Sequence, residues 1–486
     1  MTEPMYQDVP VDPAQWLAGL GLQQTVGGED CPPVSTMDVP YPATEETIAT
    51  APFGDAATIA AAVLAAHSSF PAWSRTSWEQ RREALEKFAA ALEADVTTLS
   101  LILTAETGRT LRRCRSEVLS AGRFVRTIAA TGPDVEQIPH DRSSVRRIGR
   151  PLGVVGAIAP WNSPVLLAVV KVANALLSGN TLVLKASPFT PLAALRFGQL
   201  ARSIFPAGVL NVVNGDGVAG AALVNDPRVA KISFTGSTAT GKLIAASAAR
   251  QLKRLTLELG GNDAAIVLAD ANLDTFVEFS SQIGLLNCGA FCAGVKRVYV
   301  ERSIHDELVD RYAARLRDVV LGDAFEPATD MGPIQNRPQF ERVLGLRNAA
   351  VESGATLHES VGPIPDRGLF LAPAAVTGLS RSHPLVQEEQ FGPLLPIIAF
   401  DDPAEAVIEA NSGPYGLGGS VWSADIERAE SLAVQLDVGT AWVNQHGAFE
   451  PAVPMPFAKA SGIGIDYGGL GVHEHSQPMV VNVLRP

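Results

Sequence analysis

Val154-Val155-Gly156-Ala157-Ile158-Ala159 is an unbroken apolar run, and the pattern that follows it decides the fold. The chain then reads as a helix to about Ser178, a run at 181–184, a helix from Pro191, a run at 209–213, a helix, a run at 230–234 and a further helix. Short apolar strands alternating with helices predict a parallel sheet covered on both faces. Ligands of such sheets collect at the carboxyl ends of the strands, so the residues just after each run are candidates for chemistry.

Working outward, residues 80–130 read as helices, with Leu85, Phe88, Leu92 and Val96 on one stripe of 3.6-residue spacing. The 486 residues exceed what one core organises and predict two or three domains. A composition of 47% hydrophobic and 18% charged residues is that of a compact enzyme rather than a disordered or fibrous chain. We read no apolar run of the roughly 18 uncharged residues needed to span a bilayer. Residues 1–10 have neither a basic start nor an apolar core of a signal peptide. A cytoplasmic location with no membrane partner is expected.

The net charge of −13 disfavours a nucleic-acid partner, because that binding rests on clustered Lys and Arg. Cys31, Cys114, Cys288 and Cys292 are too few and too irregular for a disulfide framework, and no histidines stand at metal-site spacing from them. Reduced thiols and no metal are expected.

Three residue types between Pro151 and Gly294 suggest covalent catalysis. Asn162 lies in Pro160-Trp161-Asn162-Ser163-Pro164, a proline-bounded loop whose amide can donate to an oxyanion without reorganising. Glu258 follows Leu255 and Leu257 in strand-like alternation and precedes two glycines, which suits a partly desolvated base. Cys292 offers a nucleophilic thiol. Phe234-Thr235-Gly236-Ser237-Thr238-Ala239-Thr240-Gly241 follows a strand and opens a helix, where Gly236 permits close backbone approach and Ser237 or Thr238 can cap amides that face a phosphate. Lys185 ends the run at 181–184, placed to hold a ribose or phosphate. Each of these also has an ordinary reading: a turn asparagine, a salt-bridged strand-end glutamate, a packed thiol, a capped turn and a solvated lysine.

Taken in order and spacing, these strings resemble the aldehyde dehydrogenase superfamily over roughly residues 45 to 486. The matching pieces are Pro151-Leu152-Gly153-Val154-Val155, the Pro-Trp-Asn loop, Gly179-Asn180-Thr181, Lys185, Phe-Thr-Gly-Ser, Leu257-Glu258-Leu259-Gly260-Gly261 and Cys292. They continue through Met331-Gly332-Pro333, Glu388-Glu389-Gln390-Phe391-Gly392-Pro393, Tyr415-Gly416-Leu417 and Ser461-Gly462-Ile463-Gly464. The 34-residue separation of Glu258 and Cys292 also fits.

The resemblance implies an α/β fold with a Rossmann-like parallel-sheet cofactor domain (1–131 and 150–259) and an α/β catalytic domain (260–455). A small β oligomerisation arm with the C-terminal segment (132–149 and 456–486) completes it. The activity implied is NAD- or NADP-dependent oxidation of a small-molecule aldehyde to the acid through a Cys292 thiohemiacetal and thioester. Cys292 would be the nucleophile, Asn162 with the Cys292 amide the oxyanion hole, Glu258 the hydrolytic base and Lys171 a proton-relay lysine. Cofactor contacts implied are Trp161, Lys185, Ser187, Pro188, Phe234, Gly236, Ser237, Gly241, Leu259, Glu389 and Phe391. The tunnel lining implied is Ser163, Leu167, Val170, Phe291, Ala293 and the loop 445–450 with Phe449. A homodimer or homotetramer is expected, since residues 479–484 form an apolar strand that is an edge liability unless paired.

Departures from the family pattern are Ala290, Asn262 and Pro456-Phe457-Ala458-Lys459, none of which removes a reacting group. Lys185-Ala186-Ser187-Pro188 lacks the glutamate that would hold an adenosine 2′-OH and repel a 2′-phosphate, so both cofactors stay open. Asp466 stands where a longer glutamate is usual in the proton relay. The loop 445–450 has no Arg or Lys, which predicts a neutral aliphatic or aromatic aldehyde unless Arg113, Arg115 or Arg123 faces the tunnel. A CoA-acylating enzyme and a non-catalytic member of the fold are the alternatives, Glu258 favouring water over CoA. Cys288, four residues before Cys292, is expected on the same helix face, either packed or forming a reversible disulfide with it.

Overall fold

The apolar runs become five parallel strands, Val154–Ile158, Thr181–Ala186, Leu210–Asn214, Val229–Thr235 and Arg254–Glu258, in a computed structural model that describes residues 4–484. Side by side they stand in the order third, second, first, fourth, fifth. Gln24–Val26 and Glu29–Cys31 extend one edge and Gly462–Ile463 the other, all antiparallel. Because the winding reverses between the first and fourth strands, the segments leaving them diverge and open a crevice at their carboxyl ends.

Helix Pro164–Leu177 covers one face of this sheet and is buried along almost its whole length. Helix Ala56–Trp73 covers the other, where Ile59, Ala62, Val63 and Ala66 join Val154, Val183 and Val213 in one apolar cluster. This second helix corrects an expectation, for its 18 residues include no Asp, Glu, Lys or Arg and have a mean hydropathy of 1.2. A run of span length therefore exists. Its inward stripe is matched to the sheet, and Thr181 Oγ1 donates to its Ala66 carbonyl at 2.8 Å. The stripe 85–96 is also divided: Trp78–Ala94 ends and Val96–Thr107 begins across a 68° bend. Asp95 sits at the bend with its carboxylate gripped by Arg196 at 2.6 and 2.9 Å, which turns the chain before Val96 can join the stripe.

A second sheet orders Thr356–Glu359, Ala374–Thr377, Leu394–Phe400, Arg297–Glu301, Ala264–Val267, Gly418–Trp422 and Thr440–Val443, parallel except for the first pair. The crossing between the sheets is short, since Glu258 ends one strand and Ala264 begins another. Asp263 pins the crossing: its Oδ1 accepts from Gly418 N at 3.1 Å and its carbonyl from Lys296 N at 2.9 Å. A third sheet pairs Ser476–Leu484 with Ser143–Pro151 and that with Val135–Ile138. Of the C-terminal stretch only Ser476–Leu484 enters this sheet, while helix Gly468–His473 lies on helix Pro164–Leu177.

Candidate active site

Cys292 follows a backbone that a helix cannot supply. Asn287, Cys288 and Gly289 all have positive φ (50°, 52° and 77°), and a side chain at position 289 would strike the Gly392 carbonyl. The expected shared helix face for Cys288 and Cys292 is thereby corrected. Cys288 Sγ turns to the Gly332 and Pro333 carbonyls, both at 3.2 Å, while Cys292 Sγ donates to Glu258 Oε1 at 3.1 Å. All four cysteines are free.

The loop carrying Asn162 is laced to this segment. Asn287 Nδ2 donates to the Asn162 carbonyl at 2.8 Å, and Asn162 Nδ2 donates to the Ala290 carbonyl at 3.1 Å. An amide nitrogen has two hydrogens, so one remains to be directed at a ligand. The Cys292 backbone N–H has no acceptor among the described residues. Asn162 and Cys292 each line both cavities that meet here.

Glu258 is 2% exposed, and burial pushes its carboxyl above the usual range, an effect that Lys171 opposes. Burial, reinforced by the Glu258 charge, likewise holds the Cys292 thiol well above its ordinary value. In the parallel ladder Thr235 is registered with Glu258, which brings its hydroxyl within 3.1 Å of Oε2. Lys171 Nζ donates to that hydroxyl at 2.8 Å and to Ser233 Oγ at 3.4 Å. Lys171 is itself buried, lowered by desolvation and supported by Asp466 and then Glu258. Thr235, read from sequence only as part of a turn, is thus the link between Lys171 and Glu258.

On one side of Cys292 a cavity of about 960 Å³ opens at the carboxyl ends of the first sheet, where the strand order reverses. Trp161, Lys185, Ser187, Pro188, Phe234, Gly236, Ser237, Leu259, Glu389 and Phe391 all line it. Gly241 does not. It lies where a Cβ would come within 2.5 Å of Leu259, so its lack of a side chain lets helix Thr238–Ala249 lie close to the sheet. Ser237 caps that helix by accepting from Thr240 N at 3.2 Å, leaving its first amides to face the cavity. The Lys185 side-chain ammonium has no hydrogen-bond partner among the described residues, and burial lowers it to about 8 with Asp216 opposing. Glu389 accepts from Gly261 N at 3.0 Å and is pushed up by burial to about 7. The Phe391 ring stands edge-on to Trp161 at 5.6 Å. A lysine ammonium without a partner, free helix amides and a buried carboxylate along a cavity of this size fit a dinucleotide. Asp216 and Gly217, also on its wall, were not singled out from sequence.

Comparison with known proteins agrees with this geometry. The family model described as the aldehyde dehydrogenase family matches residues 31–481. The chain belongs to the aldehyde dehydrogenase family. It is 36% identical over 474 residues to a phenylacetaldehyde dehydrogenase of Pseudomonas fluorescens, covering 93% of this chain and 94% of that one. It is 36% identical over 452 residues to human retinaldehyde dehydrogenase 3, covering 91% and 88%. Among solved structures, betaine aldehyde dehydrogenase of Staphylococcus aureus in complex with NAD+ superimposes with a TM-score of 0.93 at 30% identity, covering 99% of this chain and 97% of that one. A point mutant of an aldehyde dehydrogenase from Bacillus cereus gives 0.93 at 32% identity, covering 97% and 98%. The enzyme is an aldehyde dehydrogenase with the α/β fold of its family, and its cofactor is NAD or NADP.

On the other side of Cys292 lies a second cavity of about 290 Å³. Leu167, Phe291 and Phe449 line it, with Leu166, Phe124 and Tyr467. Val170 and Ala293 do not. Val170, one helical turn past Leu167, is 1% exposed and lies in the core cluster. Ala293 is fully buried under the loop at Gly447, which approaches its carbonyl. Of the loop 445–450 only Phe449 lines the wall; His446 is buried against Ser420 Oγ at 2.9 Å. Arg109, Arg113 and Arg123 reach the wall from another element, helix Leu111–Ala129 and the turn before it, which removes the ground for a neutral substrate. Glu117 was also missed. Its Oε1 accepts from Val165 N at 2.9 Å and Leu166 N at 3.0 Å, and it is ion-paired to buried Arg109.

Proposed function

We propose that Cys292 is the nucleophile of an aldehyde oxidation that ends in hydrolysis, on a substrate whose skeleton next to the carbonyl is aliphatic or aromatic. The observation that carries this is the 3.1 Å contact between Cys292 Sγ and Glu258 Oε1 at the junction of the two cavities. The thiol proton passes to Glu258 as sulfur adds to the carbonyl, giving a thiohemiacetal. The oxyanion is met by the second Asn162 amide hydrogen and the Cys292 N–H. When bound in the larger cavity, a nicotinamide cofactor would supply the acceptor for the substrate's hydride. Glu258, once it has released the thiol proton to solvent, takes a proton from water as the water attacks the thioester and the Cys292 sulfur leaves; Thr235 and Lys171 hold that carboxylate in place.

Lys185, Ser187, Pro188, the amides after Ser237, Glu389 and Phe391 would hold the cofactor. With no carboxylate at position 188, a 2′-phosphate meets no repulsion there. Phe291, Phe449 and Leu167 shape the wall for an apolar skeleton. The arm sheet is the inferred contact of a dimer or tetramer, and the free thiols suit a reducing compartment such as the cytoplasm.

Mixing the Glu258→Gln variant with aldehyde and cofactor is expected to leave an acyl adduct on Cys292, detected by mass spectrometry after one turnover of reduced cofactor. Absence of an adduct, or one on another residue, overturns this assignment. Saturating CoA is expected to leave the wild-type rate unchanged, since Glu258 is placed to serve water.

A further inference from the structure

We propose that the aldehyde carries an anionic group, a carboxylate, at the end remote from its carbonyl, and that Arg113 selects it; this rests on the aldehyde-oxidising site described above. The tunnel has a direction. At its inner end Glu258 and Asn162 are 2% and 5% exposed, and at its outer end Arg113, Ser116, Ser120 and Arg123 are exposed. Those four stand three, four and three residues apart on helix Leu111–Ala129, so they share one face. Between the two ends the wall is apolar, formed by Leu167, Phe291 and Phe449.

The charge on this helix runs against the rest of the molecule. The chain has a net charge of −13, yet the helix carries five arginines and one glutamate. Most of these cations are already engaged. Arg112 donates to the Thr329 carbonyl at 3.1 Å, Arg123 is paired with Glu450 and Arg126 with Glu93 at 2.6 Å. Glu117 is committed to Arg109 and to the amides of Val165 and Leu166. Arg113 and Arg115 have no ion pair among the described residues, and only Arg113 of the two lines the tunnel. It therefore offers a guanidinium fork with its donors open, the geometry that takes a carboxylate by two parallel hydrogen bonds. Outside the mouth, Arg112, Arg115 and Arg123 border a shallow depression that shares Ser116 and Ser120 with the tunnel, a field that draws anions inward.

The test uses ω-carboxylated aldehydes of increasing chain length, each beside its methyl ester, and reads the ratio of kcat/KM for acid over ester. We expect a ratio of about ten or more at the best length, since hydrogen bonds to a charged partner carry that much discrimination. The ratio should fall toward one in Arg113→Met, be partly restored in Arg113→Lys, and persist in Arg115→Met. It should also shrink as salt is raised until the Debye length drops to about 8 Å. Esters used as well as acids, or a preference that survives Arg113→Met, overturn the proposal. Oxidation of esters alone would sink this inference while leaving the aldehyde-oxidising site intact, whereas oxidation of neither at any length would remove the reading on which it rests.

Discussion

At Cys292 two effects work in one direction: burial and the Glu258 carboxylate both hold the thiol protonated. The pair shares its protons, so either group's titration reports on both. The sign is testable. Glu258→Gln removes the negative charge that disfavours the thiolate, and the thiol pKa must fall. Alkylation of Cys292 by iodoacetamide without cofactor, followed by peptide mass spectrometry across pH, should show a midpoint lower by about one pH unit or more in the variant. A midpoint that stays or rises would show that Glu258 does not govern the thiol. The residue types at 162, 258 and 292 were readable from their chemistry and spacing. Thr235 was not, because only strand register places its hydroxyl beside Glu258. Arg113, Arg115 and Arg123 were named from sequence as able to face the tunnel; Arg113 and Arg123 line it and Arg115 does not.

Helices Pro164–Leu177 and Pro191–Ala201 both begin with proline, and neither is capped by its own N-cap residue, Ser163 or Thr190. Buried glutamates from elsewhere serve instead, Glu117 for the first and Glu106 for the second, where Oε2 and Oε1 accept from Leu192 N and Ala193 N at 2.7 and 3.0 Å. Such caps are invisible to local sequence rules, as are the bend at Asp95 and the left-handed turn at Cys288, because each is imposed by a partner distant in the chain. The alternation of strands and helices in the first sheet, by contrast, is local and periodic, and it was legible from Val154 to Glu258. Glu117→Gln leaves Arg109 buried without its counter-charge and loosens the helix start that follows Asn162. Breaking a buried pair in this way costs about 3–5 kcal/mol. Urea unfolding should show a loss of that order, and kcat should fall because the Asn162 loop is no longer held. A loss below about 1 kcal/mol would mean that the helix needs no such cap.

Across the whole molecule, two sheets are joined by the short crossing after Glu258, and this places a carboxylate at the end of one beside a thiol on the segment that leads into strand Arg297–Glu301 of the other. Each cavity then approaches the thiol from its own side. The third sheet plays no part in that chemistry and presents a different problem. Ser476–Leu484 pairs along one side with Ser143–Pro151, register by register from Ser476↔Pro151 to Leu484↔Ser143, while its other side has no strand partner among the described residues. Met479, Val480, Val483 and Leu484 are exposed along it. A nine-residue edge with four exposed apolar side chains is a template for another chain, and native proteins cover or charge such edges. No lysine or arginine interrupts this one, so a second subunit is the expected cover. Replacing Val480 and Leu484 together by Lys should lower the mass measured by light scattering to that of a smaller assembly, with the first two sheets still folded by circular dichroism. An unchanged mass would mean that the subunits meet elsewhere.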